Sequence, residues 1–200
     1  MKKPAITKYN INPLIKERWS PRAFDNKEVE ADKIHNVLEA ARWAPSAFNE
    51  QPWRYIIGKK GTKTWQLIFD SLIDFNKTWA EPADVLVVVV GKKTLTSNSK
   101  ENETYKYDVG QSVATMTVQA TNEGLVMHQM GGFSKQKNIE AFNIPDDYEV
   151  IAAFALGYIG NVDQLPENFR NMETNPRQRK PFSEFVFEEN FGQKSTLISD

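Results

Sequence analysis

The chain has 200 residues and 22.9 kDa, with 40% hydrophobic and 26% charged residues, a size that suits one domain around one substantial core. Zero cysteines exclude disulfide scaffolds, thiolate zinc sites, iron–sulfur clusters and cysteine nucleophiles, and two histidines leave no multi-histidine centre, so no metal site is expected. With 25 Lys and Arg against 26 Asp and Glu there is no global field to draw in nucleic acid or an anionic membrane, and any bound anion must be held by a local cluster.

The start, Met1-Lys2-Lys3-Pro4, lacks the apolar core of a signal peptide, and the longest apolar run, Val85 to Val90, is far short of the roughly 20 residues of a membrane span. A soluble cytoplasmic protein with no membrane or nucleic-acid partner is therefore expected. Ile34, Val37, Leu38 and Ala41 recur at helical spacing, and Pro45 ends that helix just past Ala44. Trp53 to Ile57 reads as a strand closed by Gly58, and Thr62 to Phe75 as a helix through Trp65, Ile68, Leu72 and Phe75. Val85 to Val90 is β-branched without polar alternation, which predicts a central strand covered on both faces.

Lys92 to Glu103 is polar and aperiodic, a loop long enough to act as a mobile cover. Val109, Val113, Met116 and Ala120 mark a long helix ending near Gly124. Leu125 to Met130 is an extended piece, Ser134 caps a short helix ending before Pro145, and Val150 to Leu156 is another buried strand. The last forty residues carry Pro166, Pro176 and Pro181 but little helical period before Phe185-Val186-Phe187, the pattern of a wrapping arm. No linker or repeat divides the chain, so residues 1–200 form a single domain, with about 165–200 as that arm.

Arg18-Trp19-Ser20-Pro21-Arg22 places two guanidiniums around a hydroxyl in a segment broken by proline. In extended backbone, alternate residues face one way, so Arg18, Ser20 and Arg22 can converge on one anion; a solvated turn paired with Glu17 or Asp25 is the alternative. In Ala44-Pro45-Ser46-Ala47-Phe48-Asn49-Glu50-Gln51-Pro52-Trp53, prolines stiffen both ends of a segment of small and amide residues. Ser46, Asn49 and Gln51 can hydrogen-bond a heterocycle, or else their own turn. His128, in an apolar stretch, reads as a packed, hydrogen-bonded residue, and His35 as a surface one.

These two motifs, followed in order by Asn76 to Trp79, Gly131-Gly132-Phe133 and Arg177-Gln178-Arg179-Lys180-Pro181, resemble the FMN-dependent nitroreductase family over nearly the whole chain. The resemblance implies an α+β sandwich with a mainly antiparallel sheet flanked by helices, and a homodimer that exchanges C-terminal arms and shares two FMN sites. It implies that Arg18, Ser20, Arg177 and Arg179 clamp the phosphate, which carries about −1.5 to −2 charges. Arg22 then lies beside flavin N1, where a cation favours the reduced ring, and the Gly131 backbone amide faces N5. Asn76, Met130 and Gly132 line the same cofactor, and Pro45, Ser46, Ala47, Asn49 and Gln51 contact it from the partner. The implied activity is ping-pong transfer of hydride from NADH or NADPH to a nitroaromatic, quinone or other conjugated electrophile. A Gly-Gly pair stands where many relatives carry Glu-Gly. A flavin-storing or flavin-remodelling protein of the same fold is the alternative, and an interaction module with a basic arm is disfavoured by the charge balance.

Overall fold

The computed structural model describes residues 2–198. Four antiparallel strands form one sheet: β1 (Trp53–Lys59), β2 (Val85–Lys92), β3 (Val126–Met130) and β4 (Tyr148–Gly157), in the order β1-β2-β4-β3. β2 pairs with β1 from Trp53↔Gly91 to Lys59↔Val85, and with β4 from Val85↔Leu156 to Lys92↔Tyr148, with a bulge between Val89 and Val90. β3 closes the sheet on the far side of β4, from Val126↔Gly157 to Met130↔Ala153.

The alternation of side chains along β2 builds two cores. Leu86, Val88 and Val90 join Trp65, Ile68, Trp79 and Phe169 on one face, whereas Val85, Val87 and Val89 join Val37, Ala41, Val113 and Met116 on the other. Helices α2 (Ala31–Arg42) and α5 (Tyr105–Asn122) cover the second face. Helices α3 (Lys63–Ser71), α4 (Asp74–Ala80), α6 (Lys135–Phe142) and α7 (Glu167–Thr174) cover the first. The expected central strand and the α+β sandwich are thus present.

Several elements differ from the sequence reading. Short helix α1 (Pro13–Glu17), started by Asn12 accepting from the Leu14 amide at 2.9 Å, falls in a stretch for which no element was predicted. The single helix expected over Thr62 to Phe75 is two. Leu72 turns extended and bridges Phe133, and the Ile73 amide donates to the Gly132 carbonyl at 3.1 Å, so the chain breaks its helix to pair with the segment after β3. The apolar period runs straight through that break.

The predicted mobile cover from Lys92 to Glu103 is instead tied down. Thr94 bridges Glu101, Leu95 N donates to Lys100 O at 2.7 Å, and Thr96 N donates to a Glu50 carboxylate oxygen at 2.9 Å.

The C-terminal reading needs one correction. Residues 167–174 form α7, which buries Phe169 and Glu173; the buried carboxylate hid the helical period. Within the chain, Phe182–Glu184 is a 3-10 turn and Phe187 makes one isolated bridge to Lys194. Phe182 packs on Tyr9, ring centroids 5.7 Å apart, so the arm lies against the N-terminal segment of its own chain. Among the described residues no helix is long and apolar enough to cross a membrane, and no cluster of metal-ligating side chains occurs.

Candidate cofactor site

The two chain ends meet through guanidiniums. Arg18 follows α1, its amide donating to Leu14 O at 2.9 Å, and its Nη1 reaches Ser20 Oγ at 3.3 Å. Arg177 Nη1 donates to the carbonyls of Lys3 at 2.9 Å and Lys16 at 3.0 Å, which fastens the C-terminal segment to the N-terminal one. Arg18, Arg177 and Arg179 line a cavity of about 820 Å³ whose walls include Ile6, Ile15 and Phe182.

No Asp or Glu lines this cavity. Burial lowers the pKa of Arg18, and the neighbouring charges of Arg177 and Arg179 lower it further; Arg177 is shifted the same way by burial and Arg179. Guanidiniums gathered in this way repel one another, which favours an anion between them.

Arg22 does not line that cavity. Its amide donates to Glu173 Oε2 at 3.1 Å and its Nη1 to Glu173 Oε1 at 3.4 Å, while its buried Nε has no protein partner.

The α3–α4 break places Asn76 against the segment after β3, its Nδ2 donating to Gly132 O at 2.9 Å. A Cβ on Gly132 would lie 2.6 Å from Ile73 Cδ1 and 2.8 Å from Asn76 Nδ2, so any larger residue would have to push those two side-chain ends aside. At Gly131 a Cβ would meet nothing within 4 Å, so packing within the chain does not require glycine there. Met130 is buried at the end of β3.

Pro45, Ser46, Ala47, Asn49 and Gln51 lie in the α2–β1 connection and line no part of the arginine cavity. Phe48, Asn49 and Gln51 have φ of 52°, 56° and 48°, a left-handed run that persists only where surroundings enforce it. The enforcing bonds are Gln51 N to Ser46 Oγ at 3.0 Å, Gln51 Nε2 to Asn49 O at 3.1 Å, and Ala47 N to Asp108 Oδ2 at 3.2 Å. The loop therefore holds Phe48 at 92% and nearby Trp43 at 78% exposure. Of the residues singled out in the sequence, the fold gathers Arg18, Ser20, Arg177 and Arg179, joins Asn76 to Gly132, and keeps Pro45 to Gln51 apart. Asp108 and Glu173 escaped the sequence reading. Each is a carboxylate on the inward face of a helix, Asp108 beside Val109 and Glu173 four residues after Phe169, and that spacing is the signal that could have found them.

His128 is packed, as its apolar setting predicted. Its Nδ1 donates to Pro21 O at 2.9 Å, and its ring lies 4.4 Å from that of Trp79. Burial pushes its pKa down to about 4, so the unfolded chain takes up this proton first as the pH falls. Its contribution to stability is full above pH ~6.5 and is lost toward pH 4. Glu149, held near 2 chiefly by the Tyr105 hydroxyl, contributes its loss only below the ordinary carboxylate range. Urea titrations at pH 6.5 and 4.5 are expected to differ by on the order of 2 kcal/mol, and His128→Phe to remove most of that difference.

The antiparallel sheet between helical layers has clear counterparts. The model of the nitroreductase family matches residues 15–158. A nitrobenzene nitroreductase of Ectopseudomonas oleovorans is 24% identical, the match covering 89% of this chain and 97% of that protein. An oxygen-insensitive NADPH nitroreductase of Helicobacter pylori strain J99 is 32% identical over 111 residues, 52% of each chain. A crystal structure of an oxidoreductase containing FMN superposes with a TM-score of 0.89 at 34% identity, covering 95% of this chain and 97% of that one. The architecture is the nitroreductase fold. The chain belongs to the nitroreductase family.

Proposed function

We propose that the protein is an FMN-dependent oxidoreductase that passes hydride from NADH or NADPH to a nitroaromatic, quinone or other conjugated electrophile. The observation that carries this reading is the convergence of Arg18, Arg177 and Arg179 at a cavity without a carboxylate. The residues fit FMN: the guanidiniums match a phosphate dianion, and the buried, unpaired Arg22 Nε offers a donor to a ring acceptor. Bound FMN supplies a hydride acceptor and donor at N5.

The rest of the task falls to the chain. Arg18, Ser20, Arg177 and Arg179 would hold the phosphate, Arg22 through its free Nε and Asn76 would serve the ring, and Met130, Gly131 and Gly132 would border the part of it that exchanges hydride. Gly131, where a Cβ would meet nothing within 4 Å, would leave one face of the ring open, and donor and acceptor sharing that face in turn would follow a ping-pong order. Pro45 to Gln51 lie apart from the arginines in one chain, which supports a homodimer in which they complete the partner's site. A cytoplasmic location, where NADH and NADPH are available, is part of the same proposal.

The test is a visible spectrum of the purified protein, anaerobic titration with each nicotinamide, and sedimentation of the same sample. The expected result is a yellow dimer bleached by NADH or NADPH and recoloured by an acceptor. A yellow protein that neither nicotinamide bleaches would favour flavin handling, a colourless protein that FMN does not stain would remove the flavin reading altogether, and a monomer with full FMN would overturn the shared site.

A further inference from the structure

Glu173 is a charged group that hydride transfer does not call upon, and it is 1% exposed. A carboxylate at that depth is tolerated only when paired. Its cationic side-chain partner is Arg22, 151 residues earlier, which gives it both the main-chain amide at 3.1 Å and the guanidinium at 3.4 Å. Lys3 Nζ donates to the Glu173 main-chain carbonyl. Four residues beyond Glu173, Arg177 grips the carbonyls of Lys3 and Lys16. The end of α7 and the start of the arm thus hold the N-terminal segment at successive points.

The segment they hold has no helix or strand of its own from Arg18 to Arg22. Pro21 is fixed from β3, through its carbonyl, by His128, and Arg22 is fixed from α7 by Glu173. Ser20 and Arg18 lie immediately before those two points in the chain. Conversely, Arg177 and Arg179 emerge from the end of the helix that Glu173 docks.

We infer that Glu173 is a positioning residue for the anion clamp: its buried pair with Arg22 couples the root of the C-terminal arm to the N-terminal motif. Arg177 and Arg179 reach Arg18 when that pair is made. Loss of the pair weakens phosphate binding without removing any group that touches the phosphate. The ligand in this inference rests on the FMN reading; the mechanical coupling does not.

The experiment is hydrogen–deuterium exchange on the cofactor-free full chain, with FMN titration alongside. In Glu173→Gln, amides of residues 176–185 are expected to exchange at least tenfold faster, while those of β2 keep their protection. Arg22→Gln should give the same acceleration, the double variant no more than either single change, and Arg22→Lys, which keeps a cation for Glu173, should stay within about threefold of wild type. The FMN dissociation constant of Glu173→Gln should rise about tenfold.

Wild-type arm exchange in Glu173→Gln, additive effects in the double variant, or loss of β2 protection in step with the arm would each overturn the coupling. If wild type binds no FMN but the arm loosens as stated, the flavin reading fails and the coupling stands. If wild type binds FMN and the arm does not loosen, the coupling alone fails.

Discussion

Arg18→Ala is expected to weaken FMN binding by tenfold or more. Arg18 sits at the meeting point of the two chain ends, bonded to Ser20 Oγ at 3.3 Å and close enough to Arg177 and Arg179 for their charges to lower its pKa. A charge-assisted bond to phosphate is worth roughly 1.5–3 kcal/mol, which is about ten- to 150-fold in dissociation constant. Removing Arg18 also relieves the repulsion on its neighbours, so apo stability should hold or rise while affinity falls. Fluorescence titration of FMN together with a urea melt of the apo protein checks both halves. Unchanged affinity would remove Arg18 from the clamp, and a matching fall in stability would make its role structural.

A second large effect is expected from Trp79→Ala. Trp79 is 1% exposed, stacked on Phe24 at 6.1 Å and tilted against His128 at 4.4 Å, so it ties α4 to the chain entering the sheet and to β3. Truncating an aromatic residue at such a position costs about 3–5 kcal/mol, a large share of the roughly 5–15 kcal/mol that holds a domain together. Its indole Nε1 is buried without a partner, so losing an unsatisfied donor returns part of that cost and places the expected value near the lower end, about 3 kcal/mol. The midpoint of equilibrium urea unfolding measures it, and a shift equivalent to less than about 1 kcal/mol would contradict the packing described.

What the sequence made legible was local. Val85 to Val90 announced a doubly covered strand because six branched apolar residues in a row have no other economical place, and each alternate residue does enter a different core. Ser134 announced a helix start because its hydroxyl has a fixed task there, accepting from the Lys137 amide at 3.2 Å. The arginine motifs stood out as charge clusters at both ends of the chain.

The illegible features depend on distant partners. The break between α3 and α4 exists because Leu72 and Ile73 find partners after β3, while their apolar side chains keep the helical period intact. α7 was missed because Glu173 occupies an inward position that only Arg22, far away in sequence, makes acceptable. The same pair draws off Arg22 Nη1, so the three residues of the first arginine motif do not act alike: Arg18 lines the cavity and reaches Ser20, and Arg22 turns to α7.

In the proposed function the clamp holds the FMN phosphate, and riboflavin is FMN without it. Parallel titrations of the apo protein with FMN and riboflavin therefore isolate the clamp from every contact to the ring. The expected result is FMN binding about a hundredfold or more tighter than riboflavin, the sum of two or more charge-assisted bonds, with the gap narrowing as salt is added. Equal affinity for the two flavins would mean that the guanidiniums gathered from the two termini hold something else.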